Sequence, residues 1–290
     1  MVTQAFPKLL PSRRHGRDEE PLFGRRTLAV VKRSARSVVR ASRNERRLVL
    51  IFGCQRSGTT MLQQTFLDRS WRVLILEEHD RRLVGTEPGE TTWQEYPAVL
   101  SRIRRLPFEA VAAKPLVESA SATALMDAAG AVRAIWMLRH YPEVARSNVN
   151  RFGAGNPYRD LQPICSRDAR DWRYLGMTEE TWETVTALSN RKLTSFDAGA
   201  LFWWTRNRLY FDQRLWADDR IRVLRYERAC NQPGEVVRSL SDHIGLPLPR
   251  GSITRRVRPQ PFPAKASDLD PDVDRLCARL WNSFKGCPEL

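Results

Sequence analysis

The segment Leu48-Val-Leu-Ile-Phe52-Gly53-Cys54-Gln55-Arg56-Ser57-Gly58-Thr59-Thr60 constrains this chain more than any other. Five consecutive apolar residues with no polar face read as a short strand buried on both sides. A glycine at each end of the next loop permits turns that other residues resist. Backbone N–H groups there can curl around an anion. The following stretch, Thr59–Asp68, reads as a helix, whose first turn offers free N–H groups and a positive dipole end. Thr59 and Thr60 add hydroxyl donors, and Arg56 places a cation inside the loop.

The alternation continues downstream. Residues 73–76, 109–113, 133–138 and 221–226 read as further strands, and 121–129, 178–191, 197–217, 233–244 and 271–284 as helices. Pro142 suits the first turn of another helix. Residues 153–177, rich in Gly, Pro and Asp, read as loop. This order predicts a three-layer α/β/α fold around a central, mostly parallel sheet. The run Phe202-Trp203-Trp204 with Tyr210, Phe211 and Trp216 has helical spacing; it reads as core, with an acceptor lining as the alternative.

Composition narrows the classes. The longest clean apolar run, Leu48–Phe52, is far short of the ~20 residues needed to span a bilayer, and no leader-type apolar stretch is seen at the N-terminus. Five cysteines without a CxxC pair predict a reducing, cytoplasmic setting rather than a disulfide framework. The four histidines (His15, His79, His140 and His243) are scattered, so no metal site is expected. The net charge of +15 is uneven: residues 1–47 hold thirteen Lys/Arg against four Asp/Glu. We therefore divide the chain into a basic arm, 1–47, and a folded domain, 48–290. Within the arm, residues 25–47 read as an amphipathic helix, either solvated against the body or resting on an anionic membrane surface. The latter would make the protein peripheral at the inner membrane surface.

The spacing from Gly53 to Thr60 resembles the GxxxxGK[ST] loop of nucleotide triphosphatases, with Thr59 where those enzymes carry the Lys that reaches the β- and γ-phosphates. The cradle is kept and the triphosphate-reading cation is not, which fits a single 5′-phosphate bearing a transferable group. Arg56-Ser57-Gly58-Thr59-Thr60 resembles the 5′-phosphosulfate loop of the sulfotransferases that use 3′-phosphoadenylyl sulfate. Arg133–Asn150 resembles that family's 3′-phosphate segment, with Arg139 ending a strand and Ser147 eight residues later. Val223-Leu-Arg-Tyr226-Glu227, followed by NQPGEVVRSLSDHIGLP, is similar to an ending common among carbohydrate-type and bacterial members. The three segments cover roughly 48–250 in the family's order. The resemblance implies an enzyme that moves a sulfuryl group from 3′-phosphoadenylyl sulfate and releases adenosine 3′,5′-bisphosphate, with no metal required.

It also implies a set of site residues. Gly53, Cys54, Gln55, Arg56, Ser57, Gly58, Thr59, Thr60, Arg139, Ser147 and Tyr226 would bind the nucleotide, and Arg255 and Arg256 could close over it. Sulfuryl transfer needs a base for the acceptor's proton, and cations where charge develops. Glu77 follows Arg56 at the spacing of the base in tyrosylprotein sulfotransferases; Glu78 and His79 are its neighbours and stay open as candidates. Lys114, in Ala113-Lys-Pro115, resembles a Lys-Pro element that approaches the transferred group. Met61 stands where cytosolic relatives have the Trp that packs on adenine, which places the chain nearer the carbohydrate and tyrosylprotein branches.

A glycan or glycolipid is the favoured acceptor; a peptide tyrosine or a small molecule stays open. Two rivals are a P-loop kinase of a small molecule and a nucleic-acid-binding protein. Thr59 in the Lys position argues against the first, and the concentration of the basic excess in the arm argues against the second, so no nucleic acid is expected as partner.

Overall fold

The computed structural model describes residues 47–68, 70, 72–78, 80–84, 93, 95–259 and 268–290. The basic arm up to residue 46, with its amphipathic helix and membrane contact, and His79 lie outside the described residues.

The strands and helices follow in near-strict alternation. β1 (Arg47–Gly53) leads into α1, which begins as an ordinary helix, Thr59–Met61, and continues as a wider π-helix, Leu62–Leu67. Then come β2 (Val73–Leu76), α2 (Tyr96–Arg104), β3 (Ala110–Ala113), α3 (Ala122–Ala129), β4 (Val132–Leu138), α4 (Tyr141–Phe152) and α5 (Asn156–Cys165). The C-terminal half carries α6 (Glu179–Ser189), α7 (Ser195–Asp212), β5 (Ile221–Arg225), α8 (Tyr226–Asn231), α9 (Pro233–Ile244), α10 (Arg250–Thr254) and α11 (Pro271–Ser283).

All strand pairs are parallel, in the order β2-β3-β1-β4-β5. Period-two geometry divides each strand between two cores. Leu48, Leu50 and Phe52 of β1, with Trp136 and Leu138 of β4, face the core built on α2, α3, α4, α7 and α11. Val49, Ile51, Ile135 and Met137 face the other, built on α1, α9 and α10. The fold is thus a three-layer α/β/α sandwich, and both faces of β1 are covered.

The chain passes from β1 to one edge of the sheet and returns past it to β4. The order of connection reverses beside β1, so the loops after β1 and β4 flank the crevice where open α/β sheets bind ligands.

Residues 153–177 are not all loop. Pro157, Asp160, Leu161 and Ile164 are the buried residues of α5, a helical stripe. Pro157 sits in the first turn, where it is tolerated, and Pro163 comes too late to prevent the helix. The aromatic run is core: Phe202, Trp203, Trp204 and Tyr210 are buried in α7, while Trp216 is half exposed. α7 is covered nearly all round, which explains why it lacks a polar stripe.

Candidate active site

The loop after β1 is held by its glycines. Gly53 has φ +123°, and a Cβ there would lie 2.5 Å from the carbonyl oxygen of Met137 on β4. Gly58 has φ +94°, and a Cβ there would lie 2.3 Å from Cδ2 of the Tyr226 ring. The first turn then closes with Leu62 N–H donating to the Gly58 carbonyl at 3.0 Å. Between the glycines, Arg56 also adopts a left-handed φ of +67°. Such a conformation persists in a non-glycine residue only when its surroundings fix it.

Those surroundings are polar and specific. The Ser119 hydroxyl accepts from Gly53 N–H at 3.2 Å. Gln55 Nε2 donates to Asp160 Oδ2 on α5 at 3.0 Å. Arg56 Nε donates to the Ser147 hydroxyl on α4 at 3.1 Å, and its guanidinium lies 5.7 Å from the Phe152 ring centre.

Arg139, immediately after β4, completes the crevice. It donates to the Arg56 carbonyl at 3.4 Å and its guanidinium rests 4.3 Å from the Tyr226 ring centre. It also reaches Glu143 one turn along α4, at 3.7 Å. Trp203 fixes its backbone by donating to the Arg139 carbonyl at 2.9 Å, and Glu227 accepts from the next N–H, of His140, at 2.9 Å. Burial, and then the positive charges of Arg151 and Arg139, lower the pKa of Arg56. Like charges gathered in a crevice favour an anion there. Ser57 Oγ and Arg139 Nε are buried and have no hydrogen-bond partner among the described residues.

A second group faces the loop from the other side. Lys114, 7% exposed at the end of β3, donates to Glu77 Oε2 at 2.9 Å and to Thr60 Oγ1 at 3.2 Å. Gln64 donates to the other Glu77 oxygen at 3.4 Å. Gln63, fully buried in the π-helical turn, donates to the carbonyls of Leu76 at 2.9 Å and Ala112 at 3.4 Å. It thereby ties together the ends of β2 and β3 that present Glu77 and Lys114. A π-helical turn often marks a functional site, and here it aims Gln63 at the sheet.

The crevice thus gathers Gly53 to Thr60, Arg139, Ser147, Tyr226, Lys114 and Glu77. Glu78 is half-buried, and its charge acts on the buried Arg206. Arg255 and Arg256 are exposed beyond α10, and Arg255 turns back to the Gly251 carbonyl at 2.9 Å. Several residues at the site carry no motif: Gln63, Ser119, Asp160 and Arg206. Arg206 is fully buried and donates to the carbonyls of Leu116 and Trp172, each at 3.2 Å. Burial pushes its pKa down to about 10. Asp160 sat in a segment that reads as loop, and nothing in its own vicinity marks it.

Among the described residues, no group of three or more His, Cys, Asp or Glu is placed to hold a metal ion. Among them, too, no helix is long and apolar enough to cross a membrane.

No family model matches the chain, and no curated protein matches it. Solved structures similar to it include sulfotransferase STF9 from Mycobacterium avium, at 12% identity, covering 84% of this chain and 78% of that one with a TM-score of 0.45. A sulfotransferase from Alicyclobacillus acidocaldarius matches at 17% identity over 82% of this chain and 92% of its own, TM-score 0.45. Mouse sulfotransferase SULT7A1, solved in complex with PAP, matches at 11% identity over 83% and 85%, TM-score 0.42.

Proposed function

We propose that this chain is a sulfotransferase that moves a sulfuryl group from 3′-phosphoadenylyl sulfate to a hydroxyl or amine and releases adenosine 3′,5′-bisphosphate. One observation carries the reading: Arg56 and Arg139 meet in a single crevice, with Ser147 bonded to Arg56. A nucleotide phosphorylated at both ends of its ribose needs two anion grips on one wall. The residues fit it. Three arginines converge, the Ser57 hydroxyl and Arg139 Nε are buried without partners among the described residues, and the two glycines leave no room for a side chain in the loop.

The donor, when bound, supplies an activated sulfuryl group on a nucleotide leaving group. The chain's residues do the rest. Amides of the loop with Arg56, Thr59 and Thr60 hold the 5′ end. Arg139 and Ser147 hold the 3′-phosphate, Arg139 by its guanidinium fork. Tyr226, stacked on Arg139 and pressed against Gly58, keeps that fork in place. Lys114 bridges Thr60 and Glu77, so its charge stands between the donor grip and the base. Glu77 takes the acceptor's proton. Its side chain is 38% exposed, enough for an acceptor to reach it, and Glu78 is the second candidate. Arg255 and Arg256 would close over the nucleotide only by leaving their present exposed positions. The acceptor class we favour is a glycan or glycolipid, on the likeness of the 223–247 segment to carbohydrate-type members and on the basic arm.

Calorimetry tests the reading. Adenosine 3′,5′-bisphosphate should bind more tightly than 5′-AMP, and ATP with Mg²⁺ should bind poorly. Preference for ATP–Mg²⁺ would instead establish the kinase reading.

A further inference from the structure

We infer that Asp160 is a positioning residue that sets the distance between the two anion grips. Its Oδ2 accepts from Gln55 Nε2 at 3.0 Å, Asn148 Nδ2 at 3.3 Å and Asn156 Nδ2 at 2.8 Å. Its Oδ1 accepts from Arg173 Nε at 3.0 Å. Asp160 is 2% exposed, so these bonds replace water entirely.

The sequence positions of its partners give the arrangement its meaning. Gln55 immediately precedes Arg56, and Asn148 immediately follows Ser147. One carboxylate oxygen therefore binds the neighbours of both residues in the Arg56–Ser147 bond. Asn156 Nδ2 also donates to Asn148 Oδ1 at 2.9 Å, which stiffens the α4 side of the junction. Arg173 balances the charge and is itself held by Asp171 at 2.9 Å. The left-handed Arg56 sits beside the tether, which is where a conformation of that kind needs support.

The chemistry is selective for a carboxylate. An ionised carboxylate accepts only, with about four lone-pair sites. Four donors surround Asp160, three on Oδ2 and one on Oδ1, and none of these partners needs a proton from it. An asparagine in its place would turn an NH2 group toward N–H donors, at nearly unchanged volume. Among the described residues, Arg173 would then keep only Asp171 as its counter-charge. Asp160 touches neither donor nor acceptor; it acts through Gln55 and Asn148.

The role in nucleotide binding rests on the sulfotransferase reading, and the experiment separates the two. The full-length wild type, Asp160→Asn and Gln55→Leu are compared by amide hydrogen exchange and by titration with adenosine 3′,5′-bisphosphate. In both variants, amides of residues 54–58 should exchange faster while those of β1 and β4 keep their protection. The nucleotide should bind about 10-fold more weakly, the cost of one lost hydrogen bond to a charged group. In turnover of Asp160→Asn the loss should appear in the donor KM, with kcat kept, because Glu77 and Lys114 are not disturbed. Unchanged loop exchange, or unchanged affinity beside a binding wild type, overturns the inference. A wild type that binds no nucleotide overturns the sulfotransferase reading instead, and loop exchange then decides for or against the tether. If Asp160→Asn fails to fold, Gln55→Leu carries the same test, since it removes the tether from the half-buried loop side only.

Discussion

Arg56 Nε donates to the hydroxyl of Ser147 at 3.1 Å, across 91 positions of sequence. The bond joins the loop after β1 to the helix after β4, and Arg139 braces the same loop through the Arg56 carbonyl. The two segments whose motifs imply opposite ends of one nucleotide thus form one wall.

Removing the 3′-phosphate grip should separate two ligands. Arg139→Ala should weaken adenosine 3′,5′-bisphosphate about 10- to 100-fold, as expected for a lost charged hydrogen bond, and Ser147→Ala about 2- to 10-fold. Binding of 5′-AMP, which lacks the 3′-phosphate, should fall less, by no more than the loosening of the loop that these side chains brace. Titration of both nucleotides against both variants checks this.

The base should be separable from the grip. Glu77→Gln should lower kcat about 100- to 10,000-fold, the usual contribution of a general base. Affinity for adenosine 3′,5′-bisphosphate should hold, because among the described residues the hydrogen bonds of the Glu77 side chain run to Lys114 and Gln64. An equal fall for Glu78→Gln with normal turnover of Glu77→Gln would transfer the role to Glu78.

Gly53 should tolerate nothing larger. Gly53→Ala brings a Cβ to 2.5 Å from a backbone carbonyl that the sheet holds in register. It also forces a left-handed φ on an L-residue, worth about 1–2 kcal/mol by itself. A large fall in melting temperature is expected, read by calorimetry.

Acid should destabilise the fold in part through His243. Burial lowers its imidazole pKa below the ordinary value of 6.5, ahead of its bond to the Ala134 carbonyl, which acts in the opposite direction. The unfolded chain therefore takes up the proton first as pH falls. The stability is fully present above the unfolded value and is lost as pH falls through the folded one. His243→Gln should flatten the difference in urea unfolding between about pH 7.5 and about pH 5.5.

Cys54 should be inert despite lying in the loop. Burial pushes its thiol up to about 12, and the reactive form is the thiolate. Native protein should leave Cys54 unmodified by maleimide under conditions where urea-unfolded protein reacts; mass spectrometry after proteolysis reads the result.

The sheet was legible because each strand is a short apolar run, from Leu48–Phe52 onward, and such runs leave few alternatives. The loop and Arg139 were legible because their residue types have local geometric reasons. α5 was not, since Pro157 and Pro163 read as breakers when only the burial of Leu161 and Ile164 reveals the helix. Asp160, Gln63 and Arg206 were invisible for a related reason. Their partners lie 105 positions away for the Asp160–Gln55 bond and 90 for Arg206–Leu116, and no spacing rule reaches that far.

The central claim is tested most directly by a crystal structure with adenosine 3′,5′-bisphosphate. The account predicts the 3′-phosphate on Arg139 and Ser147, and the 5′-phosphate among the loop amides between Gly53 and Thr59. A nucleotide bound outside this crevice, or one whose 3′-phosphate contacts neither side chain, would contradict it.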